Sequence, residues 1–507
     1  MARDTLAEVL RHQARSRAGH PLLVCDEDRI SYAQADRRSA ELARGLIALG
    51  AGKGTRVGLL YPNGSDFVVG MLAAARIGAI VVPFSTFVTT RELREQLVDG
   101  DVQILLSANR FRSHDYRERL TQLLGPEFDH ADRLFCAAVP QLRRVVTSDA
   151  SRPYRHAAEA AKVRGLEDDV DPADVLAIVY TSGSTSAPKG VVHTHAALLG
   201  HQRNLNTIRG LTADDRLFCN SPFFWIGGFA FGLLATLIAG STLVCSNATD
   251  AGATLDLLES ERPTMTNGFV AGIAHLADHP SFARRDLSSM RRGNLYPIMA
   301  PDVQPADPEL RHNMLGMTEA GSVLLICEDE SDQPEERRGS YGRPAPGFET
   351  MILDSGELCI RGPYVMQGYY GRSREECFDS DGWFHTGDLV RADGEGFMYF
   401  LGRRSGMIKT AGANVSAAEV ENALANLGTT AHVVGIPDAE RGQLVAAVVV
   451  LPDGSDTFDE GALRAGLKTQ LSAYKIPKQF VALPRAALPL LSSGKVDRRR
   501  LKRLFDA

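Results

Sequence analysis

The apolar pattern at the start of the chain predicts a β-hairpin and then an amphipathic helix. The hairpin is predicted over PLLVCDEDRISY (21–32). The helix is predicted over SYAQADRRSAELARGLIALG (31–50), because Ser31 and Gln34 form a capping box at its start and Gly50 stands just past its end.

The next part of the chain alternates apolar strand patterns with helix patterns. A strand, a helix, a strand, a second helix and a third strand are predicted over TRVGLLYP (55–62), DFVVGMLAAARIG (66–78), AIVVPFS (79–85), LREQLVDG (93–100) and DVQILLSA (101–108). Strands that alternate with helices predict a largely parallel, doubly wound sheet.

The pattern changes near GRRSG (402–406), which is a candidate hinge. After it, a turn, a short strand and a helix are predicted, and Ser416 and Glu419 form a second capping box. Further strand and helix patterns follow over GQLVAAVVVL (442–451), EGALRAGLKTQL (460–471) and QFVALP (479–484). We therefore predict an α/β protein with a large N-terminal domain (1–403) of mixed and parallel sheets layered with helices. A small, mobile C-terminal α+β domain (404–507) follows it.

Composition narrows the class of protein. The 507 residues are 44% hydrophobic and 23% charged, which is typical of a globular chain with more than one domain. The net charge of -6 argues against a nucleic-acid groove and against attachment to acidic membranes. The longest apolar run, FAFGLLATLIAG (229–240), is shorter than the roughly 20 residues of a spanning helix. Seven scattered cysteines without a CxxC pair predict neither disulfides nor a zinc site, and we expect a cytoplasmic location.

The stretch TSGSTSAPKG (181–190) is the first candidate for chemistry. Small residues let backbone N–H groups converge on an anion, hydroxyls add donors, and Lys189 adds a point charge. This combination predicts a phosphate-binding loop, although an exposed Ser/Gly turn has the same composition. The spacing does not fit the Walker A pattern.

This loop resembles the signature of the adenylate-forming superfamily, which contains acyl-CoA synthetases, adenylation domains of peptide synthetases and firefly-type luciferases. Other segments are similar to motifs of the same family and occur in family order: LGMTEAG (315–321), GSYGRPAPGFE (339–349), GELCIRGPYVMQGYY (356–370), DGWFHTGDLV (381–390), LGRRSGMIKTAGANVSAAEVE (401–421) and SSGKVDRRRL (492–501). The resemblance covers nearly the whole chain. It implies that ATP activates a carboxylate as an acyl-adenylate, with Mg²⁺ present, and that coenzyme A then accepts the acyl group.

The resemblance also implies roles for single residues. The β- and γ-phosphates would be held by Thr181, Ser182, Gly183, Ser184, Thr185 and Lys189, although Ser184 and Ser186 replace a threonine and a glycine of the family loop. Thr318 would meet the α-phosphate and Glu319 would hold Mg²⁺. Leu315, followed by Gly316 and Met317, stands where relatives stack an aromatic ring on adenine.

Further roles fall near and beyond the hinge. Asp388 would accept hydrogen bonds from the ribose, and Arg403 would reach the ribose or the phosphates. Lys495 would bridge the substrate carboxylate and the α-phosphate after domain closure. Gly406 replaces the usual pivot residue, and Ala411 and Gly412 would line a tunnel for the pantetheine of CoA.

The acyl pocket is expected between PFFWIGGF (222–229), NGFVAG (267–272) and LGMTEAGS (315–322), with Trp225, Gly228, Gly272 and Gly321 lining it. Apart from Glu319 these segments carry no charge, which argues against an amino acid, whose ammonium group needs a counter-ion when it is buried. Medium- or long-chain fatty, aryl and steroid side-chain acids all remain open. GNLYPIMAP (293–301) replaces a GGAP-like run of relatives.

Other interpretations remain open as well. One is an acyl-AMP ligase that loads a carrier protein, and another is a nucleotide-binding homologue whose catalytic site has decayed. An oxidative luciferase is a further one, and the chain could form a homodimer. His193 and His195 stand two residues apart, but no Cys or acidic partner accompanies them to suggest a metal site.

Overall fold

The computed structural model describes residues 5–129, 133–148, 158–181, 188–403, 407–438, 440–451, 457–489 and 496–506. The chain divides into two compact units. The large unit comprises Met1–Thr86, Leu97–Tyr180 and Gly190–Gly402, and the small unit comprises Phe87–Gln96, Thr181–Lys189 and Arg403–Ala507. The predicted hinge residues 404–406 lie outside the described residues, so the predicted domain boundary stays a prediction.

The helices follow apolar periodicity and capping residues in the sequence. They are α1 (Leu6–Ser16), α2 (Tyr32–Ala48), α3 (Ser65–Ala75), α4 (Thr90–Asp99), α5 (Tyr116–Leu124), α6 (Ala160–Asp169), α7 (His195–Ile208), α8 (Ala235–Ala239), α9 (Ala251–Glu261), α10 (Ala274–Ala277), α11 (Ala417–Asn426), α12 (Glu460–Gln470) and α13 (Arg498–Lys502). The predicted capping box of α2 is confirmed, since Ser31 Oγ accepts from Gln34 N and Gln34 Oε1 accepts from Ser31 N. Helix α3 is apolar on nearly all sides and is correspondingly buried.

The strands of the large unit are mostly short and buried. They are β1 (Pro21–Cys25), β2 (Asp28–Ser31), β3 (Arg56–Leu60), β4 (Ile80–Pro83), β5 (Ile104–Ser107), β6 (Arg110–Phe111), β7 (His114–Asp115), β8 (Arg144–Thr147), β9 (Val175–Thr181), β10 (Lys189–Thr194), β11 (Arg216–Cys219), β12 (Thr242–Cys245), β13 (Met265–Asn267), β14 (Arg292–Gly293), β15 (Leu315–Met317), β16 (Ser322–Ile326), β17 (Arg343–Pro344), β18 (Glu349–Ile352), β19 (Glu357–Arg361), β20 (Gly368–Tyr369), β21 (Phe384–Ala392) and β22 (Met398–Arg403). Thr181, Lys189 and Arg403, at the ends of β9, β10 and β22, belong to the small unit.

Two layered sheets form the centre of the large unit. One has the order β20-β10-β9-β4-β3-β5-β8, and the other has the order β14-β13-β11-β12-β1-β2. The predicted strand–helix–strand units are confirmed, because β3 pairs in parallel with both β4 and β5. The predicted hairpin is confirmed as the antiparallel pair β1–β2. Side chains of both sheets and of α3 share one core, which includes Leu59, Phe67 and Leu217.

Two antiparallel sheets of the large unit carry the later motifs. They have the orders β15-β16-β17 and β18-β19-β21-β22. Strand β20 returns to the first sheet and pairs in antiparallel register with β10, so that Val191 lies opposite Tyr369. This pairing brings the motif of residues 356–370 beside β10.

The small unit contains helices and strands in the C-terminal part of the chain, together with the segments Phe87–Gln96 and Thr181–Lys189. Its strands are β23 (Ile408–Thr410), β24 (Ala413–Val415), β25 (Ala431–Asp438), β26 (Gly442–Leu451) and β27 (Gln479–Pro484). Ser416 Oγ caps α11 by accepting from Glu419 N at 3.4 Å. The second predicted capping box is not completed, because the Glu419 carboxylate accepts from Lys475 Nζ at 2.7 Å.

Among the described residues, we find no helix with both the length and the apolar character needed to cross a membrane.

Candidate functional site

The predicted phosphate loop is bracketed by two strands. Strand β9 ends at Thr181 and β10 begins at Lys189. The other predicted loop residues, Ser182, Gly183, Ser184 and Thr185, lie outside the described residues, as do Gly406 and Lys495. Their roles therefore stay predictions.

Thr318 and Glu319 lie in a single helical turn, Thr318–Ala320, that connects β15 to β16. The turn closes when Gly321 N donates to Thr318 O at 2.9 Å. Gly321 has a φ of 69°, which is the left-handed conformation that glycine adopts without strain. Both polar residues are half-buried, in the turn at the end of the β15–β16 hairpin.

A histidine of the neighbouring sheet holds this turn. His193 Nε2 donates to Thr318 O at 2.7 Å, and the side chain is fully buried. Burial lowers the pKa of His193 to about 4, so the ring is neutral near pH 7. Because the carbonyl only accepts, the proton is on Nε2. Helix α7 adds two more contacts to the same hairpin, from Gln202 Nε2 to Gly321 O at 3.2 Å and from His201 Nε2 to Val323 O at 2.8 Å.

Glu319 is fixed through both its backbone and its side chain. Met366 N donates to Glu319 O at 2.8 Å, and the Tyr369 hydroxyl donates to Glu319 Oε1 at 2.8 Å. Within the described ranges, no group of three or more His, Cys, Asp or Glu side chains could enclose a metal ion. Mg²⁺ is commonly bound through one or two carboxylates, substrate phosphates and water, so a single hard carboxylate fits that ion.

His195 makes a structural contact with the N-terminal helix. It is the first residue of α7, and its Nδ1 accepts from Leu6 N at 3.1 Å. Burial lowers the pKa of His195 to about 4.

In strand β15 the two large side chains point into the protein core, and only the glycine between them is exposed. Leu315 and Met317 are buried in a core of the large unit, whereas Gly316 is exposed. A Cβ at Gly316 would lie 2.8 Å from Ser322 O, so the close approach of β16 requires glycine there. The predicted contact of these residues with adenine stays a prediction.

Asp388 is fully buried in β21. Its backbone N donates to Thr386 Oγ1 at 3.0 Å, and that hydroxyl donates to Leu358 O at 2.7 Å. Gly387 has a φ of 72°, which explains the glycine of the TGD motif. Arg403, in the small unit, is half-buried and ends β22.

Two of the three predicted acyl segments, 222–229 and 267–272, are in contact through their aromatic rings. Trp225 packs edge-to-face on Phe269, with ring centroids 6.0 Å apart. Asn220 fixes Phe269 by accepting from its N at 3.0 Å and donating to its O at 2.9 Å. Local packing requires a glycine at position 228, because a Cβ there would lie 2.1 Å from Pro222 O. Gly272 is exposed, and a Cβ there would lie 3.0 Å from Asn220 Nδ2.

A cleft of the large unit shares Asn267 with the segment 267–272. It is lined by Arg209, Phe231, Met265, Thr266, Asn267, Gly293, Asn294, Tyr296, Arg311, His312, Met314, Ile326, Cys327, Asp329 and Glu330. Asn294 joins the cleft to the segment 267–272, because it exchanges two hydrogen bonds with the backbone of Gly268, at 3.1 and 2.8 Å. The Arg209 guanidinium stacks on the Phe231 ring at 3.9 Å. The sequence segments alone did not indicate these charged groups, since they come from distant parts of the chain.

In the small unit, Ala411 and Gly412 form the two-residue loop of the β23–β24 hairpin. Their φ angles are 47° and 83°. Such two-residue loops favour small residues with positive φ. Local turn geometry therefore accounts for both residues, and their predicted place in a CoA tunnel stays a prediction.

Sequence reasoning missed two residues that contact the Thr318–Glu319 turn. Tyr369 lies inside the segment 356–370, which is similar to a family motif, but that motif by itself predicts no role for it. His193 was weighed only as a metal ligand. A partner in another strand has no signal in local spacing, because strand pairing alone decides it.

Comparison with known proteins matches two family models to the chain. The model described as AMP-binding enzyme matches residues 10–370, and the model described as AMP-binding enzyme C-terminal domain matches residues 419–495.

Several characterised proteins are similar over nearly the full length. A feruloyl-CoA synthase of Amycolatopsis sp is 33% identical over 497 residues, covering 94% of each chain. A 3-[(3aS,4S,7aS)-7a-methyl-1,5-dioxo-octahydro-1H-inden-4-yl]propanoyl:CoA ligase of Mycobacterium tuberculosis is 31% identical and covers 99% of each chain. The solved structure of an o-succinylbenzoate CoA synthetase from Bacillus subtilis, bound with a product analogue, is 26% identical, with a TM-score of 0.78 and 98% of each chain covered.

Proposed function

This chain belongs to the AMP-binding enzyme family and is an acid–thiol ligase of the AMP-forming acyl-CoA synthetase type, and we propose that its substrate is a carboxylic acid that carries an aromatic or fused ring. The observation that carries the proposal is the cleft that Asn267 and Asn294 connect to the segment 267–272. Similar proteins named for feruloyl and octahydroindenyl-propanoyl groups support the same class of acid.

The lining of the cleft favours rings with polar substituents over plain fatty chains. Phe231, Tyr296 and the thioethers of Met265 and Met314 offer flat or adaptable apolar surface. The amide of Asn267 and nearby guanidinium groups offer hydrogen-bond donors. A fatty chain cannot accept a hydrogen bond from any N–H of these groups that faces the cleft, and each such donor that it removes from water costs roughly 1–3 kcal/mol. A hydroxyl or carbonyl on a ring would satisfy them.

The reaction has two displacement steps that balance without an oxidant. A carboxylate oxygen of the acid attacks the α-phosphorus of ATP, and the bond to pyrophosphate breaks. The thiolate of CoA then attacks the acyl carbon, and AMP leaves. Two anions meet in the first step, so positive charge and donors must be in place before it occurs.

Residues of this chain supply that environment. The Thr318–Glu319 turn offers a hydroxyl and a carboxylate. His193 holds the backbone of the turn through Thr318 O, and Tyr369 holds the carboxylate of Glu319. Mg²⁺, with Glu319 as its protein ligand, would offset phosphate charge. In this proposal the loop that ends at Lys189 binds the triphosphate, Asp388 and Arg403 bind the nucleoside side, and Lys495 bridges the reacting groups.

A substrate panel tests the proposal. Pyrophosphate release is measured with ferulic, cinnamic, indole-3-acetic and decanoic acids, with and without CoA, and the products are weighed by mass spectrometry. We expect kcat/KM for the ring acids to exceed that for decanoate by about 10-fold or more, the scale set by a shaped pocket. We also expect acyl-CoA as the product.

A matched variant links the preference to the cleft. Asn267→Leu keeps the side-chain size and removes the amide, so kcat/KM for ferulate should fall about 10-fold while that for cinnamate stays unchanged. Better turnover of decanoate than of every ring acid by the wild type would refute the ring class. Pyrophosphate release that does not increase when CoA is added would point to a carrier protein as the acyl acceptor.

A further inference from the structure

Tyr369 contacts the carboxylate of Glu319 directly. Its hydroxyl donates to Glu319 Oε1 at 2.8 Å, and the residue is 8% exposed. Tyr369 lies on β20, opposite Val191 of β10. The hydrogen bond therefore joins an edge strand of the seven-stranded sheet to the β15–β16 hairpin.

The surrounding structure holds the Tyr369 ring in one place. The ring of Phe384 meets it edge-to-face with centroids 6.3 Å apart, and the Arg372 guanidinium lies 5.6 Å from its centroid. Tyr369 N also donates to Cys377 Sγ at 3.3 Å. Because packing and strand register both fix the ring, its hydroxyl offers Glu319 a pre-oriented partner.

A phenol orients a carboxylate without cancelling its charge. The ordinary pKa of a tyrosine is about 10, so near pH 7 the phenol keeps its proton and donates to the carboxylate. A lysine or arginine at this position would add a positive charge that repels a cation. A neutral donor fixes one oxygen and leaves the negative charge of Glu319 available.

We propose that Tyr369 is a positioning residue that holds Glu319 Oε1 and thereby presents Oε2 to a divalent cation carried by the nucleotide. This inference rests on the proposed function, because it takes Glu319 as the cation ligand of that reaction. Hydrogen-bond partners of metal ligands typically change metal affinity or activity by 10–100-fold when they are removed.

Tyr369→Phe tests the inference, because it removes the hydroxyl and keeps the ring against Phe384. Binding of Mn²⁺ together with a non-hydrolysable ATP analogue is followed by electron paramagnetic resonance. We expect the Mn²⁺ dissociation constant to rise about 10-fold, and the Mg²⁺ concentration for half-maximal adenylate formation to rise by the same factor. The melting temperature without ligands should stay unchanged.

Tyr370→Phe is the matched control. It removes the neighbouring hydroxyl, which donates to Asp101 Oδ2 at 2.9 Å. The Mn²⁺ dissociation constant of this variant should equal that of the wild type.

The possible outcomes separate the inference from the proposed function. Weaker Mn²⁺ binding in Glu319→Gln but unchanged binding in Tyr369→Phe would overturn the positioning role and leave the function intact. Unchanged binding in both variants would overturn the positioning role together with the assignment of Glu319. A wild type that forms no acyl-CoA would overturn the function, while the Mn²⁺ titration would still decide the role of Tyr369.

Discussion

At the scale of single residues, we predict that the first chemical step depends most on Lys495. The resemblance of SSGKVDRRRL (492–501) to a family motif implies that Lys495 bridges the carboxylate and the α-phosphate. It lies outside the described residues, so a kinetic experiment must decide its role.

Lys495→Ala should slow adenylate formation by roughly 10²-fold or more, the effect of removing one transition-state contact. Thioester formation from pre-made acyl-adenylate should change much less, because the bridge is no longer needed. Single-turnover pyrophosphate release and acyl-CoA formation measure the two steps separately. Lys502→Ala, at the exposed end of α13, is the control. Equal losses in both steps would contradict the assigned role.

Glycines show why residue type alone is an ambiguous signal. Gly228 is predicted to line the acyl pocket, and a Cβ there would collide with Pro222 O at 2.1 Å. Gly321 closes the Thr318 turn with a left-handed φ of 69°. Backbone geometry therefore accounts for these glycines whether or not a ligand is also near.

At the scale of elements, β10 and α7 act as one support for the β15–β16 hairpin. His193 and His201 each donate through Nε2 to a carbonyl of that hairpin. Within the described residues, their Nδ1 atoms are buried and lack partners. Protonation would place a second donor in surroundings that offer no acceptor, which is why burial lowers the pKa of each ring to about 4.

The stability of the large unit should fall as the pH drops from about 6.5 to 4. In the unfolded chain these histidines and His195 bind protons below their ordinary pKa of about 6.5. In the folded chain they do so only near 4, so unfolding takes up protons between these values and acid favours it. Each ring contributes about 3 kcal/mol or less, fully present above pH 6.5 and lost by pH 4.

Urea titrations followed by tryptophan fluorescence measure this effect, because Trp225 and Trp383 both belong to the large unit. His201→Gln keeps a donor for Val323 O and removes one titrating ring. Between pH 6.5 and 4, unfolding of this variant should take up about one proton fewer than unfolding of the wild type, so its unfolding free energy should depend less steeply on pH. A slope identical to that of the wild type would show that His201 already titrates normally in the folded chain.

At the scale of the whole molecule, the small unit is assembled from distant parts of the chain. Lys475 Nζ donates to Glu92 Oε1 and to Glu419 Oε1, both at 2.7 Å, and Lys475 is 6% exposed. Ser472 Oγ donates to Glu92 Oε2 at 2.7 Å. Phe87 packs edge-to-face on Tyr474 beside this cluster. One buried lysine therefore ties the segment Phe87–Gln96 to the C-terminal part of the chain.

Lys475→Met should destabilise the small unit by about 3–5 kcal/mol, because it leaves the buried Glu92 carboxylate and the largely buried Glu419 carboxylate without their cation. Hydrogen exchange of α11 and α12 measures the loss. Lys468→Met, on the exposed face of α12, should have little effect. Adding Glu92→Leu and Glu419→Leu to Lys475→Met should recover much of the stability, since no buried charge then remains. Unchanged exchange in Lys475→Met would show that the cluster does not hold the unit together.

Three expectations at this scale stay predictions. They are the boundary between domains 1–403 and 404–507, the cytoplasmic location and the homodimer. Each depends on motion, on cellular context or on a second chain.

The sequence by itself determined the elements and the family. The β1–β2 hairpin, the capping box of Ser31 and Gln34, and the parallel units around β3 depend on periodicity and caps, which act over a few neighbouring residues. Motifs in family order indicated the chemistry, because they resemble those of the adenylate-forming superfamily.

Only the tertiary structure decided which partners hold the site. Tyr369 and Glu319 are 50 residues apart, His193 and Thr318 are 125 apart, and Lys475 and Glu92 are 383 apart. Strand register and the packing of whole elements create these pairs, and no local pattern encodes register between distant strands. The cleft has the same origin, because its charged groups come from the end of α7 (Arg209), the segment before β15 (Arg311) and the segment after β16 (Asp329 and Glu330).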